Sequence, residues 1–560
     1  MVFFSRLTLI LVLVFSQTAA VASAAPCYQI FLPFIFHGGE TAPAEKDPNQ
    51  SSVNPCPETE APDPDMIDFN GDGFEDVAIG NPRDGVVKSG SVQVMYGTAS
   101  GLSAQNSQLW TQNDLGGDSQ NGDFFGAAVT TGDFNGDGFT DLVAGSPHEA
   151  INGKDEVGQV DVIYGSEDGL TAVNAQTFSQ ATPGVLGAPD ENDQFGEQLT
   201  SGDFDGDGYT DLAIAVPYES LEDQGIEETG AVNILYGGPN GLTTINDLIL
   251  YLGLNGVDGT PADNQYFGAA LVAADFNGDD KEDLAVGVPG FDIVGASGAG
   301  MVQVFFGSED GISLLGEQRW RQGFNGIQGN PEENDHFGAR LAAGDFDQNG
   351  LQDLVVGLPS ESVAFGGEDV TGAGAVQIIF SYAASNGLSS SGNMLWHQGK
   401  DGVLGVPETI DGFGHALTVA DFNGDGADDL AVSTPRQSNE ATRQGMVQVF
   451  YSNGSTLSTS GQNFWMQGLV QGIPEFEDMF GFALGSADFN GDGFADLAAG
   501  SPYESVFAQG ANQEDAGAVN IIYGSASGLT AVNNQIWSQD SAGIAGLAND
   551  NELFGFAITK

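Results

Sequence analysis

Short runs of alternating apolar and polar residues recur through most of this chain, and Gly, Pro, Asn and Asp separate them. In the run GSVQVMYG at 90–97, for example, Val92, Val94 and Tyr96 occupy every second position. Alternation with a period of two, in sequence rich in β-branched and aromatic residues, is typical of strands. We find no long segment with the 3.6-residue period of an amphipathic helix, so the pattern predicts an all-β fold.

Four kinds of run return in the same order along the chain. An Asp-rich loop precedes an apolar run ending in Pro, as in DLVAGSP at 141–147, and then an alternating run such as GQVDVIYG at 158–165. A third run, such as QIWSQ at 535–539, precedes a Phe-Gly pair that opens the run into the next loop. Successive loops start 65–76 residues apart. Four strands per period form one antiparallel sheet, so seven periods predict a seven-bladed β-propeller of four-stranded antiparallel blades.

The positions of the Phe-Gly pairs indicate how the array ends. Six pairs precede loops two to seven, the first loop has none, and a seventh pair, Phe554-Gly555, follows the last loop. We therefore expect the C-terminal strand, FGFAITK at 554–560, to complete the first blade and close a ring without free sheet edges. A truncated array that lacks an eighth repeat is the alternative. A string of independent small domains is less favoured, because one four-stranded sheet alone buries little apolar surface.

Seven nine-residue loops share the pattern Asp-x-Asn/Asp-x-Asp/Asn-x-x-x-Asp. They occupy residues 68–76, 133–141, 203–211, 275–283, 345–353, 421–429 and 488–496. Side-chain oxygens at positions 1, 3, 5 and 9, with the backbone carbonyl of position 7, can surround one hard cation. Ligands that are all oxygen favour Ca²⁺ over Zn²⁺, and Mg²⁺ suits the loops less because it resists full dehydration. Asp, Asn and Gly are also common in solvated turns, but seven copies in register favour metal binding.

Two of the loops depart from the common pattern. Loop four has Asp280 instead of Gly at position 6 and Lys281 at position 7, and loop five has Gln348 and Asn349 in place of Gly and Asp. We expect these two loops to bind Ca²⁺ more weakly than the others. The loops are not EF-hands, since position 12 of the first is Ile79, where an EF-hand has a bidentate Glu.

The charge of the chain changes the range of expected partners. Lys and Arg number 13 against 78 Asp and Glu, which gives a formal net charge of -65, and the seven loops hold 26 of the acidic residues. An acidic surface of this size argues against nucleic acid and against anionic membrane surfaces. Cations are the partners that this composition favours.

The N-terminal region predicts export. Arg6, the apolar run 7–15 and the small-residue pattern at 22–24 are typical of a secretory signal peptide over 1–24. Residues 25–65 are predicted to form a linker that holds the two cysteines, Cys27 and Cys56. In an oxidising compartment these can form a disulfide, and two free thiols are the alternative. No later run has 18 consecutive apolar residues, so we expect a secreted or cell-surface protein without a transmembrane anchor.

The Phe-Gly pair, the Gly-Asp-Phe-Asn-Gly-Asp-Gly loop and the Gly-x-Pro that follows it resemble the FG-GAP repeat of the integrin α-subunit N-terminal propeller. The resemblance covers about 66–560. It implies a seven-bladed β-propeller with Ca²⁺ in loops on one face, between the first two strands of a blade. All seven blades carry a loop here, whereas integrin α-subunits usually have it in only some. The integrin stalk, membrane helix and cytoplasmic tail have no counterpart, so we expect a free-standing exported propeller rather than a heterodimeric receptor.

The resemblance also implies five ligand positions in each loop, the fourth of which contributes its backbone carbonyl. Carried over residue by residue, they are Asp68, Asn70, Asp72, Phe74, Asp76, Asp133, Asn135, Asp137, Phe139, Asp141, Asp203, Asp205, Asp207, Tyr209, Asp211, Asp275, Asn277, Asp279, Lys281, Asp283, Asp345, Asp347, Asn349, Leu351, Asp353, Asp421, Asn423, Asp425, Ala427, Asp429, Asp488, Asn490, Asp492, Phe494 and Asp496. The expected cofactor is therefore Ca²⁺, at up to seven ions per chain.

These observations favour a calcium-binding extracellular module for adhesion or for binding a protein or a glycan. We expect a monomeric propeller that is not an enzyme, with no catalytic residue and no cofactor besides the metal. The chain contains no Gly-x-Ser-x-Gly elbow in a strand–helix setting and no clustered His and Cys ligands. Two alternatives stay open: a propeller-type hydrolase or lyase, and a structural surface protein whose acidity keeps it soluble in a saline habitat.

Overall fold

The computed structural model describes residues 66–559 apart from 86, 384, 385, 440 and 441. The predicted signal peptide at 1–24, the linker at 25–65 and the Cys27–Cys56 pair lie outside the described residues. Within the part that is described, no helix is both long enough and apolar enough to cross a membrane.

Seven four-stranded antiparallel sheets form the body of the protein, which confirms the predicted all-β, seven-bladed propeller. Each sheet is one blade, and its strands run in order from an inner edge to an outer edge. The inner strands of successive blades contact one another, for example Val129–Gly132 with Leu199–Gly202. Blades are numbered here by the acidic loop that each one carries.

The four strand positions recur in every blade, and their bounds for blades 1 to 7 are as follows. The inner strands are Ala557–Ile558, Val129–Gly132, Leu199–Gly202, Ala270–Ala274, Arg340–Gly344, Leu417–Ala420 and Leu484–Ala487. The second strands are Val77–Asn81, Asp141–Ser146, Asp211–Val216, Asp283–Val288, Asp353–Leu358, Asp429–Thr434 and Asp496–Ser501. The third strands are Ser91–Tyr96, Gln159–Tyr164, Ala231–Tyr236, Met301–Phe306, Ala375–Tyr382, Met446–Phe450 and Ala518–Tyr523. The outer strands are Ser103–Trp110, Thr171–Phe178, Thr243–Leu250, Ser313–Trp320, Gly387–Trp396, Asn463–Trp465 and Thr530–Trp537.

The C-terminal strand closes the ring, as the Phe-Gly count predicted. Ala557–Ile558 pairs antiparallel with the second strand of blade 1, and Ile558 lies opposite Ile79. Thr559 extends this pairing with two hydrogen bonds. Its N–H donates to the Ala78 carbonyl oxygen at 3.1 Å, and its Oγ1 accepts from the Ala78 N–H at 3.1 Å. The first blade is therefore built from both ends of the repeat array, and its inner sheet edge is covered.

The apolar core lies between the facing sheets of neighbouring blades. Two phenylalanines in every repeat are at most 1% exposed, the one in the Phe-Gly pair and the one at position 2 of the acidic loop. They are Phe125, Phe195, Phe267, Phe337, Phe413, Phe480 and Phe554, and Phe69, Phe134, Phe204, Phe276, Phe346, Phe422 and Phe489. Complete burial of one such side chain stabilises the fold by about 2–3 kcal/mol. Each acidic loop is therefore fixed to the core at its second residue.

Each Phe-Gly pair docks its backbone on the preceding blade. Phe195, which leads into blade 3, forms a parallel bridge with Gly158 of blade 2. A Cβ atom placed on Gly145 of blade 2 would lie 2.3 Å from the carbonyl oxygen of Gly196. Side chains cannot be accommodated at such a distance, which explains the glycine in the Gly-x-Pro element of this repeat.

The strand connections alternate between the two faces of the ring, because every strand pair is antiparallel. The acidic loops join inner to second strands in blades 2 to 7, and loop one leads into the second strand of blade 1; they lie on one face, here named the acidic face. Connections from second to third strands, and from each outer strand to the next blade, lie on the other face, here named the opposite face. The opposite face also has three hairpins and two short 3₁₀ helices. The hairpins pair Val363–Phe365 with Glu368–Val370, Ser438–Asn439 with Thr442–Arg443, and Val506–Ala508 with Ala511–Gln513, and the 3₁₀ helices are Gln112–Leu115 and Glu222–Gln224.

Candidate metal centres

The acidic loops are turns that fold around their own first aspartate. In the first loop, the N–H groups of Gly71 and Asp72 donate to Asp68 Oδ1 at 2.7 and 3.2 Å, and the N–H of Gly73 donates to Asp68 Oδ2 at 2.8 Å. Donation from positions 5 and 6 to the position-1 carboxylate recurs in all seven loops. The Asp at position 1 is therefore held in place by the backbone, independently of any ion.

The aspartate at position 9 is the first residue of the second strand, except in blade 1, where the strand starts one residue later. Asp76 is completely buried and accepts the N–H groups of Phe69 and Gly97, both at 2.9 Å. Burial and, to a smaller extent, the Asp68 and Asp72 carboxylates raise the pKa of Asp76 to about 8, although the two N–H donors partly oppose this rise. The position-9 pKa is raised for the same reasons in the other loops. It is about 8 for Asp141, Asp211, Asp283, Asp353 and Asp496, and about 7 for Asp429.

The carboxylates of one loop converge most clearly in loops three and five. Each places three carboxylate oxygens within 4.8 Å of one another, from Asp203, Asp205 and Asp211 and from Asp345, Asp347 and Asp353. Asp347 Oδ1 is buried and has no hydrogen-bond partner. Converging, uncompensated oxygen ligands are the donor set that a hard cation such as Ca²⁺ requires. The residues present therefore fit a calcium ion.

Position 3 differs from the predicted arrangement in three loops. In loops four, six and seven it is Asn, and its Nδ2 group donates to the position-9 carboxylate. The donors are Asn277 at 3.1 Å, Asn423 at 3.1 Å and Asn490 at 3.3 Å. An amide that donates in this way turns its oxygen elsewhere, so the predicted ligand role of these three residues needs the amide group rotated by half a turn. Loops with Asp at position 3 need no such change.

Neighbouring loops are linked by contacts that the sequence did not reveal. Thr140, at position 8 of loop two, donates its N–H to the Asp68 carbonyl oxygen at 3.2 Å, and its Oγ1 accepts the Asp68 N–H at 2.9 Å. The ring of Phe139, at position 7, lies over Gly71 and leaves no space for a Cβ atom there. Loop seven is joined to loop one through Glu75, whose carboxylate accepts the Asp488 N–H. The seven candidate centres therefore form one connected ring.

The structure gives a physical reason for treating loops four and five separately. Asp280 and Gln348 occupy positions where most loops have glycine, and both have positive φ, of 63° and 54°. Residues with a side chain are strained in this region of conformational space. Asn349 Oδ1 nevertheless accepts the Leu351 N–H at 2.9 Å, as the position-5 aspartates do elsewhere. Weaker binding by these two loops stays a prediction.

Solved structures that resemble the chain share only a low level of similarity with it. The rhamnogalacturonan lyase of Bacillus licheniformis aligns with a TM-score of 0.33 and 13% identity, over 76% of this chain and 66% of the lyase chain. The rhamnogalacturonan lyase YesW aligns with a TM-score of 0.34 and 12% identity, over 74% and 65% of the two chains.

Two groups of proteins are among those with similar sequences. Phosphatidylinositol-glycan-specific phospholipase D of Bos taurus is 31% identical over 239 residues, which is 42% of this chain and 26% of the relative. Integrin alpha-PS2 of Drosophila melanogaster is 32% identical over 226 residues, or 39% of this chain and 14% of the relative. Integrin alpha-8 of Mus musculus is 30% identical over 42% of this chain and 20% of the relative. The aligned part spans about a quarter or less of each of these proteins.

The phospholipase relatives correct one expectation from the sequence. The chain was expected not to be an enzyme, because it has no catalytic motif, but relatives named phospholipase D align with it in cattle, rat, mouse, human and Dictyostelium. That expectation is wrong, because proteins named as enzymes align with this chain although it has no familiar catalytic motif. Enzymatic activity has to be included among its possible functions.

A family model confirms the repeat that the sequence suggested. The FG-GAP repeat matches seven times, at residues 65–95, 125–163, 195–235, 267–305, 337–379, 413–450 and 480–521. Each match includes one acidic loop, and matches two to seven begin at a Phe-Gly pair. The chain is therefore an FG-GAP repeat protein whose propeller resembles that of integrin α-subunits and is also related to phosphatidylinositol-glycan-specific phospholipase D.

Proposed function

We propose that this protein is a calcium-binding propeller that acts outside the cell as a binding module for a protein or a glycan. One observation carries the calcium part of the proposal: every repeat buries an aspartate at position 9, and this burial, together with nearby carboxylates of the same loop, raises its pKa. Burial of several like charges is costly unless a cation or protons offset them. Seven bound Ca²⁺ ions would offset this charge at every blade.

Calcium would act on the fold as well as on the charge. An ion that binds the folded chain and not the unfolded one stabilises the fold by about 2.7 kcal/mol per site when its concentration is 100 times the Kd. Because position 2 of each loop is a buried core residue and position 8 of loop two bonds to loop one, order in the loops supports the ring. Calcium would thus hold the acidic face rigid and leave the opposite face free to contact a partner.

Calorimetric titration tests the metal part of this proposal. Chelator-treated protein titrated with Ca²⁺ should bind several ions per chain, with little heat from Mg²⁺ at the same concentrations. Replacing Asp203 and Asp211 together by Asn should remove one ion, since both side chains belong to one converging cluster. An absence of Ca²⁺ binding in the wild-type protein would reject the metal assignment.

The binding role is supported by the integrin relatives and by the predicted signal peptide at 1–24. Its test is a glycan array and a pull-down from extracellular fluid, each performed with Ca²⁺ and with a chelator. We expect a partner that is retained with Ca²⁺ and lost with the chelator. If the partner is retained equally with Ca²⁺ and with the chelator, partner binding does not depend on metal in the acidic loops.

A second candidate function comes from the phospholipase relatives. In this alternative, the chain takes part in recognition or cleavage of a phosphatidylinositol-glycan, as the names of those relatives indicate for them. The test incubates the protein with membranes that display a protein on such an anchor and measures release of that protein into solution. Release above that of heat-denatured protein would favour this function over the binding module.

A further inference from the structure

The inner strands surround the central channel of the propeller, and each begins on the opposite face, shortly after its Phe-Gly pair. The Phe and Gly are constant, but the residue that follows them varies from blade to blade. It is Glu197 in blade 3, His415 in blade 6, Phe482 in blade 7, Phe556 in blade 1, and alanine in the other three blades. The four larger side chains are all partly exposed. Together with Arg340, they are here named the channel mouth.

Arg340 is the first residue of the inner strand of blade 5. It is exposed, whereas Leu341 and Ala342 after it are buried. Its Nε donates to the His415 carbonyl oxygen at 2.8 Å, and its Nη1 donates to the Ala339 carbonyl oxygen at 2.7 Å. Within the described part of the chain, Nη2 has no hydrogen-bond partner. Two backbone carbonyls therefore fix the guanidinium group and leave donors available to a ligand.

This arginine has no acidic partner although the chain is rich in acidic residues. Asp and Glu number 78 against 13 Lys and Arg, yet among the residues that the structure describes Arg340 forms no ion pair. Burial raises the pKa of Glu197, and Arg340 partly opposes this rise. Because blade 4 separates the two residues along the ring, this interaction crosses the channel. The guanidinium and the carboxyl group thus face each other without direct contact.

The electrostatics on the side of blades 5 and 6 favour an anion. Burial, Arg340 and Arg436 lower the pKa of His415 to about 3, so its imidazole is neutral at physiological pH. Arg436 follows the second strand of blade 6 on the opposite face. Two arginines that disfavour a third positive charge at His415 also disfavour a cationic ligand there.

Aromatic rings form the neighbouring side of the channel mouth. The centroid of the Phe482 ring lies 5.0 Å from that of His415 and 5.0 Å from that of Phe556. Tyr503, after the second strand of blade 7, lies 6.1 Å from the same ring of Phe482. Since Arg340 bonds to the backbone of His415, the guanidinium lies beside these rings. The mouth combines an apolar platform with a few fixed polar groups, as ligand sites in proteins typically do.

We propose that the channel mouth binds the terminal sugar of an acidic glycan, a sugar ring that carries a carboxylate. The carboxylate contacts Arg340, whose planar fork of donors matches it. The apolar face of the sugar ring packs on Phe482 and Phe556, and its hydroxyl groups form hydrogen bonds with Glu197. An acidic protein side chain satisfies Arg340 alone, because it has neither the ring nor the hydroxyl groups. This inference rests on the proposed binding role and names the class of its ligand.

Matched pairs of oligosaccharides test the proposal on the full chain. The acidic members end in glucuronic, galacturonic or neuraminic acid, and the neutral members end in glucose, galactose or the methyl ester of neuraminic acid. Surface plasmon resonance in the presence of Ca²⁺ measures both affinities. We expect at least one acidic member to bind at least tenfold more tightly than its neutral counterpart, because a charge-assisted hydrogen bond is about twice as strong as a neutral one. Added salt should weaken this preference.

Variants assign the preference to individual side chains. Arg340→Gln should lower the affinity for the acidic member at least tenfold and leave that for the neutral member unchanged. Arg321→Gln is the matched control, because Arg321 follows the outer strand of blade 4 and lies over the rings of Phe291 and Phe324. Phe482→Leu should weaken both members, since it removes an aromatic ring and keeps the guanidinium. Melting curves equal to that of the wild type show that each variant is folded.

Three results would overturn the proposal: no binding of any acidic member, equal affinity within every pair, or an acid preference that persists in Arg340→Gln. A deglycosylated extracellular protein that binds the wild type and not Arg340→Gln would also overturn it, because an acidic protein segment would then occupy the channel mouth. The binding role itself is judged separately. A partner that the wild type and Arg340→Gln retain equally in a pull-down supports that role and contradicts this site.

Discussion

The two faces of the propeller carry buried carboxylates in very different ways. On the acidic face, seven loops repeat one pattern, and in each the backbone holds the first aspartate and the ninth is buried at the second strand. On the opposite face, the residues between neighbouring blades vary from the buried Gln112 between blades 1 and 2 to Leu252 and Phe291 between blades 3 and 4, and exposed apolar side chains such as Phe507 and Ile473 project from this face. Uniform loops indicate a shared structural role, and the varied connections on the opposite face are where individual blades differ from one another.

The difference has a physical origin in how neighbouring repeats meet. Each acidic loop contacts the next through positions 7 and 8, as Phe139 and Thr140 do with Gly71 and Asp68, so a change in one loop affects its neighbour. Connections on the opposite face differ more in length and sequence from blade to blade, and three of them form hairpins of their own. A partner that distinguishes one blade from another would therefore contact the opposite face.

Removal of calcium should produce the largest effect. If the acidic loops bind Ca²⁺, a chelator removes about 2.7 kcal/mol of stability per site relative to a solution at 100 times the Kd. With several sites we expect the melting temperature to fall by more than 10 °C, and Ca²⁺ to restore it. Differential scanning calorimetry measures this, with Mg²⁺ as the control ion. Identical melting curves with and without the chelator would mean that metal binding at the acidic face does not stabilise the fold.

Loss of a core phenylalanine should come next in size. Phe554 is fully buried where the C-terminal strand closes the ring, whereas Phe507 is 73% exposed on the opposite face. Phe554→Ala should lower the free energy of unfolding by about 3–5 kcal/mol, and Phe507→Ala should change it by less than about 0.5 kcal/mol. Chemical denaturation of both variants makes the comparison. Equal stabilities would mean that closure of the ring contributes little.

A pH effect on the opposite face should be smaller. Burial raises the pKa of Glu197 from 4.5 to about 7, although Arg340 partly opposes this. A raised carboxyl pKa means that the folded state binds the proton more tightly, so this stabilising effect is complete below pH 4.5 and is lost as the pH rises through 7. In the Glu197→Gln variant, the free energy of unfolding should therefore fall by on the order of 2 kcal/mol less between pH 5 and pH 8 than it does in the wild type. Unfolding at pH 5 and pH 8 measures it, and parallel pH profiles of variant and wild type would contradict it.

Most of the fold and the locations of the loops could be predicted because they recur in the sequence. Seven copies of the loop and of the Phe-Gly pair were enough to predict the blades, the ring closure by Ala557–Ile558 and the convergence of Asp203, Asp205 and Asp211. The spacing along the chain carries this information, because residues at odd positions of a tight turn lie close together whatever surrounds them.

Contacts between residues of different repeats could not be predicted in the same way. Gln112 and Glu149 are 37 residues apart, and Thr140 and Asp68 are 72 apart. Neither pair belongs to a recognisable motif, since Gln and Thr are common in strands and turns. Their contacts depend on how two blades pack together. The turned amide of Asn277 is similarly a property of side-chain packing and not of the sequence pattern.

The smallest predicted effect tests whether the acidic loops act on one another. Thr140→Ala removes the hydroxyl that accepts the Asp68 N–H, so loop one should become less ordered although all of its own predicted ligands remain. Loss of one such hydrogen bond costs about 1 kcal/mol, which corresponds to about a fivefold weaker Ca²⁺ affinity at one site. Thr182→Ala is the matched control, because Thr182 Oγ1 accepts the Ser179 N–H at 3.0 Å on the opposite face. Calcium titration of both variants decides the matter. An affinity lowered only in Thr140→Ala means that neighbouring loops share their order, and unchanged affinities in both mean that each loop binds its ion alone.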